Sequence, residues 1–346
     1  MAPPPGDAAS GTVRHGVTLV RRLSIFVALL SPAGASAQSV SLPPQPVFIE
    51  DFAYDPAEPA ALLRKWQISG GLDKKLWNSR VAVVADRIGK TVGRIIVEDG
   101  DALDATNEAM LVARPYVCDA EGSRAADMEA KPGGAAPTER AEIQVNADRT
   151  SGAGELVKFG EIVWYRFSFK LSGDWPRDHP AMGRESCRTV IHQIKQNASK
   201  DGVDCGASPF FKIEARPFSA GAHFFAQVTS GASCATPPVV RRTRFCVADL
   251  PRDSWTNVNV RLFPAQDASG RVDVWLNGMS CGSYRGPMGD RENGRRRNGT
   301  AFVDVQPRFG IYRDRRADTQ TIYFDNIKFW NAEPVANSDW GAGPPP

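Results

Sequence analysis

An antiparallel β-sandwich is the fold class this sequence predicts, and three observations carry the prediction. Many strand-length segments alternate apolar and polar residues and are bounded by Gly, Pro, Asn or Asp. Helical periodicity is weak, confined to one short stretch at 58–65. No strand–helix–strand rhythm runs through the chain, so a parallel α/β frame is excluded. The 346 residues fit one large β domain or two small ones. A hydrophobic content of 42% beside 23% charged residues is enough for a sizeable core.

The N-terminal segment comes first. Arg21 and Arg22 precede an apolar run at 23–30, and Ala35-Ser36-Ala37 follows. A basic region, a short apolar region and an Ala-x-Ala site predict a secretory signal over 1–37, cut after Ala37. The apolar run is too short to anchor the chain, and no later stretch reads as a transmembrane helix. A secreted or periplasmic protein is therefore expected, without a membrane anchor once the signal is cut. The full chain carries a formal charge of +3, and cleavage would remove Arg14, Arg21 and Arg22 together with Asp7, leaving it close to neutral. No global field then calls for nucleic acid.

A Pro-rich lead-in at 38–47 opens the expected single domain, 38–331. Candidate strands follow at 47–50, 94–97, 109–113, 161–169, 210–215, 224–228, 257–262, 272–276 and 321–330. Asn277-Gly278 closes one of them with a hairpin turn. Residues 119–138 and 286–299 read as loops, and Arg241, Arg242, Arg244 and the run Arg295 to Arg297 read as solvated loop charges, with sulfate or carboxylate binding as the alternative. Residues 332–346 read as a flexible tail. Cys118, Cys187, Cys205, Cys234, Cys246 and Cys281 are an even set in an exported chain and predict disulfides of open pairing. Their spacing fits no zinc site, no ligand motif supports a structural Ca²⁺, and no cofactor is expected.

Several strands have an unusually polar face. Alternation gathers Arg140, Glu142 and Gln144; Gln193 and Lys195; Lys212, Glu214 and Arg216; His223, Phe225 and Gln227; and Arg308 and Tyr312 around Gly310. The same alternation sends His192 to the opposite face with Val190 and Ile194, where a hydrogen-bonded core histidine is the plain reading. Solvated charge is the ordinary reading of such faces. The alternative is a groove for an extended anionic glycan, with cations for its acids and an aromatic platform for its rings. Nothing marks a nucleophile elbow, a phosphate loop or a dinucleotide fingerprint. A closely spaced carboxylate pair, which a retaining glycosidase requires, is also missing.

The segments Arg140-Ala141-Glu142-Ile143-Gln144, His192-Gln193-Ile194-Lys195 and Arg308-Phe309-Gly310-Ile311-Tyr312 occur in that order. With the closing stretch at 323–330 they resemble the signature strands of jelly-roll polysaccharide lyases, the alginate lyase and heparin lyase I-like group. The resemblance spans about 45–331. It implies a concanavalin-like β-jelly-roll sandwich of two antiparallel sheets, acting as a monomer on an anionic, uronate-containing polysaccharide by β-elimination. It implies that Arg140 and Gln193 neutralise the substrate carboxylate, that Tyr312 protonates the leaving oxygen, and that Gly310 keeps the surface open beside it. Glu142, Gln144, His192, Lys212, Glu214, Arg216 and Arg308 become candidate sugar contacts. The chain departs from the family where a histidine base is usual: Lys195 stands two residues after Gln193. Lys195, His223 and Tyr312 itself all remain candidate bases. A non-catalytic carbohydrate-binding sandwich, and less so a glycoside hydrolase, stay as alternatives because one fold hosts many functions.

Overall fold

The computed structural model describes residues 43–69, 76–86, 89–101, 118, 138–145, 156–177, 187–196, 199–200, 203–204, 209–218, 221–232, 234–290, 305–334 and 338–341. The segment expected to be a signal, the strand expected at 109–113, Cys205 and His179 lie outside them, as do residues 119–137 and 291–299 of the two expected loops.

Along the chain the elements are β1 (Phe48–Glu50), a 3-10 helix (Pro59–Arg64), β2 (Trp66–Ser69), α1 (Trp77–Arg80), β3 (Val81–Ala85), β4 (Thr91–Val97) and β5 (Thr138–Val145). Then come β6 (Val163–Leu171), β7 (Thr189–Lys195), β8 (Ser199–Lys200), β9 (Val203–Asp204), β10 (Phe211–Phe218), β11 (Gly221–Ala232) and β12 (Val239–Pro251). The last are β13 (Trp255–Phe263), β14 (Arg271–Leu276), β15 (Met279–Arg285), β16 (Gly289–Asp290), β17 (Gln306–Asp314), β18 (Gln320–Trp330) and α2 (Ser338–Gly341).

The strands form the expected jelly-roll sandwich. One sheet runs β15-β14-β13-β6-β18-β4-β3, with β1 paired to β18. The other runs β12-β11-β10-β7-β17-β5-β2, with β16 paired to β11. Every pairing is antiparallel except the short β11–β16 contact. Apolar residues from the strands of both sheets turn inward, so the two sheets share one apolar core. Phe167 of β6 meets Phe309 of β17 edge-on at 5.2 Å, and Phe169 stacks on Phe224 of β11 at 6.3 Å.

Two further contacts fix the frame. Cys118–Cys187 and Cys246–Cys281 are disulfides, and Cys234 is disulfide-bonded as well. The segment expected to be a loose tail is docked at Trp340. Its ring packs on Trp164, Trp275 and Trp330, and its carbonyl accepts a hydrogen bond from Asn259 Nδ2 at 2.7 Å.

The register shifts at the centre of the second sheet. From Ile213 to Glu214, β10 advances one residue, while β7 advances two, from His192 to Val190. Against β17 the same two-residue step spans Phe309 to Tyr312. These bulges break the alternation of β7, so Ile191 and His192 both pack in the core region and Val190 turns outward. The sequence reading paired Val190 with His192, and the extra residue is why it was wrong there.

Candidate active site

The outer face of the second sheet carries a cavity of about 280 Å³. Its side chains stand in two rows across the strands. The first row is Arg140, Tyr312, Val190, Glu214 and Phe225, each opposite the next. The second runs Gln67, Gln144, Arg308, Gln193, Lys212, Gln227 and Arg244. On β10 and β11 the rows are two residues apart. On β5 and β17 they are four apart, because the bulges splay them, and Glu142 faces Gly310 in the gap. Glu142 is fully buried and bridges the rows: Gln193 Nε2 donates to its Oε1 at 2.6 Å, and Arg140 Nε lies 3.2 Å from its Oε2.

Tyr312 sits between two guanidiniums. The Arg140 carbon is 4.3 Å from the ring centroid and that of Arg188 is 4.7 Å. Burial alone would raise the phenol's pKa. The charge of Arg188, a hydrogen bond with Thr138 and the charge of Arg140 outweigh it, and the pKa falls below the usual tyrosine value. Arg188 is itself fixed. Its Nη2 pairs with Asp314 Oδ1 at 3.0 Å, its backbone N–H donates to Asp314 Oδ2 at 3.0 Å, and the preceding residue is the half-cystine Cys187.

Beyond Val190, the fully buried Glu214 is held by Lys212 and by Arg216 Nε at 2.7 Å. Burial works against its charge, but the two cations win and hold its pKa at about 2. Burial pulls Lys212 below the ordinary lysine value, with Glu214 opposing and Arg188 and Arg216 assisting. Burial likewise lowers Arg308. Among the described residues no cluster of His, Cys, Asp and Glu is arranged to hold a metal ion.

The structure brings together Arg140, Glu142, Gln144, Gln193, Arg308 and Tyr312, with Lys212, Glu214 and Arg216 beside them. Other expected contacts lie elsewhere. His192 faces the core, fully buried. Its Nδ1 is 2.9 Å from the Arg308 carbonyl and its Nε2 is 2.9 Å from the Tyr165 hydroxyl, so it touches no sugar. Burial lowers its pKa to about 3. His223 stands on β11, three strands from β17, with Nδ1 2.8 Å from Asp249 Oδ1. That is roughly 14 Å across the sheet from Tyr312. Lys195 pairs with Gln306, six residues along β17 from Tyr312, and does not face the phenol. Phe225 offers no platform: it is 1% exposed, beneath Arg216 and Arg244. Arg242 and Arg244 are not loop charges but lie on the edge strand β12 and line the cavity.

Gly310 also has a different purpose from the one expected. Its φ is +145°, and an added Cβ would stand 2.3 Å from the Ala141 carbonyl oxygen and 2.6 Å from Glu142 Cα. The glycine lets β5 and β17 close on each other at the bulge. Sequence reasoning missed Arg188, because it precedes the alternating part of β7. Its one signal was a cation next to a cysteine.

A family model described as polysaccharide lyase matches residues 100–328. No curated protein matches the chain significantly. Among solved structures, an endo-β-1,4-glucuronan lyase from the fungus Trichoderma reesei is similar at 15% identity. That alignment covers 83% of this chain and 96% of the other, with a TM-score of 0.44. Alginate lyase Aly36B is similar at 10% identity over 81% of this chain and 92% of its own, TM-score 0.38. Alginate lyase AlgAT5 from Polysaccharide Lyase family 7 is similar at 11% identity over 78% and 97%, TM-score 0.38. The family match spans well over half of the chain, across the strands that build the Tyr312 site, and the chain belongs to the polysaccharide lyase family.

Proposed function

We propose that this lyase cleaves a uronate-containing polysaccharide by β-elimination, with Tyr312 as both base and acid. The observation that carries the reading is the pair of guanidiniums on the Tyr312 ring, which favour the phenolate. Among the described residues neither histidine faces that ring. The phenolate oxygen takes the proton from C5 of the uronate. The C5–H electron pair becomes the C4–C5 double bond as the C4–O bond breaks. The departing oxygen then takes the proton back from Tyr312, and the phenolate is restored. Arg140, Gln193 and Arg308 supply the donors that stabilise charge building on the carboxylate. The disulfides accord with an exported enzyme.

Residues 38–346, supplied with alginate, glucuronan, heparin, heparan sulfate and chondroitin in turn, test this by ultraviolet absorbance. The conjugated double bond absorbs, whereas hydrolysis products do not. One substrate is expected to give a rising signal that Tyr312→Phe cuts by about a hundredfold or more. New reducing ends without absorbance would sink the elimination. Glycan binding without either product would make the chain a binding module.

A further inference from the structure

A second cavity, of about 380 Å³, opens on the outer face of the first sheet, across the core from Tyr312. The elimination does not use it. Small-molecule sites run from roughly 300 to 1,000 Å³, so it is large enough to hold a ligand. Register sets Tyr323 of β18, Lys170 of β6 and Trp255 of β13 side by side. The Lys170 ammonium lies 5.1 Å from the Tyr323 ring centroid and 5.2 Å from that of Trp255. Asp86, just past β3, braces the group. Its Oδ1 is 3.2 Å from Lys170 Nζ, and Trp255 Nε1 donates to its Oδ2 at 3.3 Å. Ser172 follows the last residue of β6. Its N–H donates to the Thr321 carbonyl at 3.1 Å, and its carbonyl accepts from the Trp175 N–H at 3.0 Å. Its hydroxyl has no partner among the described residues, although Ser172 is only 7% exposed and lines the cavity. Buried polar groups ordinarily find partners, so this hydroxyl marks a place for a polar ligand. Asp174 and Asp253 also line the cavity.

The lining decides the class of ligand. Three aspartates stand against one lysine, an excess of negative charge that repels a uronate or a sulfate ester. An anion only accepts hydrogen bonds, and here it meets carboxylates, which also only accept. An amine cation only donates, and it meets an ammonium, which also only donates. A sugar hydroxyl does both: it donates to a carboxylate and accepts from Ser172 or Lys170. Tyr323, partly exposed at the cavity wall, offers an apolar ring to the C–H groups of a pyranose. We infer that this cavity is a second sugar site, specific for an uncharged pyranose unit and separate from the Tyr312 groove. Ser172 and Asp174 bind its hydroxyls, and Lys170 donates to them from between the two rings. The site is independent of the chemistry at Tyr312, and it tethers the chain to a neutral polysaccharide.

Affinity electrophoresis of residues 38–346 carrying Tyr312→Phe, in gels containing xyloglucan, galactomannan, arabinoxylan or barley β-glucan, tests the site. At least one of these neutral polysaccharides is expected to retard the chain. A saturating mixture of glucuronan and alginate trisaccharides is expected to leave the retardation unchanged. Added to that background, Ser172→Ala should weaken binding about fivefold and Asp174→Asn about tenfold. Asp174 is exposed, so its variant reads the site even where Ser172→Ala fails to fold. Retardation by none of the four polysaccharides would overturn the site. So would competition by the acidic trisaccharides, or an equal loss from Gln193→Ala, since either places the neutral sugar in the Tyr312 groove. Unchanged affinity in the Ser172 and Asp174 variants would reduce the Lys170 cluster to a structural ion pair.

Discussion

Arg188 is the residue on which the proposed chemistry of Tyr312 depends most. Its charge is the leading influence that lowers the phenol's pKa against burial, and Asp314 and the Cys118–Cys187 disulfide hold it over the ring. Removing the cation leaves the burial penalty in place, so the Tyr312 pKa must rise. At neutral pH the phenolate fraction then falls. Arg188→Ala is therefore expected to lower kcat/KM at pH 7 by about ten- to a hundredfold and to move the alkaline rise of the profile to higher pH. Arg188→Lys should recover part of both effects. A rate loss with an unmoved pH profile would mean that Arg188 only positions the substrate. None of this was legible at 187–190, because a lone arginine beside a cysteine has no periodic signature. By contrast, Arg140, Glu142 and Gln144 were placed together correctly, since β5 alternates without interruption.

At the scale of elements, alternation read most strands well and failed where the backbone departs from period two. The stretch at 257–262 became β13, and the helical stretch at 58–65 became the 3-10 helix. β12 was missed because its outward-facing arginines and exposed edge resemble solvated loop charge. The bulges of β7 and β17 were invisible, yet they set the spacing of the two rows and open the gap for Glu142. Gly310 is the point where that geometry is most exposed to test. Any side chain there meets the β5 backbone and must hold a φ of +145°. Gly310→Ala should cost about 3 kcal/mol or more, read as a lower denaturant midpoint at unchanged slope. It should also disturb activity by displacing Tyr312. If the sugar-facing surface alone required the glycine, stability would be unchanged and only KM would move.

For the whole molecule, His192 joins the sheets at the centre of the sandwich. It accepts from the Tyr165 hydroxyl of β6, donates to the Arg308 carbonyl of β17 and stacks on Phe309 at 4.6 Å. A neutral imidazole satisfies both partners. A proton on it would bury an uncompensated charge, which is why its pKa falls to about 3. The folded value lies below the unfolded one of about 6.5, so the unfolded chain takes up the proton first. The stability His192 contributes is complete above pH 6.5 and is lost as pH falls from there towards 3. Between pH 7 and pH 5 the loss is about 2 kcal/mol. Glu139 acts oppositely in the same window. Burial raises its pKa to about 7 despite Arg313, so it gains protons in the folded state first. Its effect is common to the unsubstituted chain and His192→Gln, and it cancels in their difference. Denaturant unfolding at both pH values should show His192→Gln less stable at pH 7, with the gap narrowing by roughly 2 kcal/mol at pH 5. A gap independent of pH would show that the fold admits the proton at His192, and that the sheets are not closed around it as tightly as the burial of the ring requires.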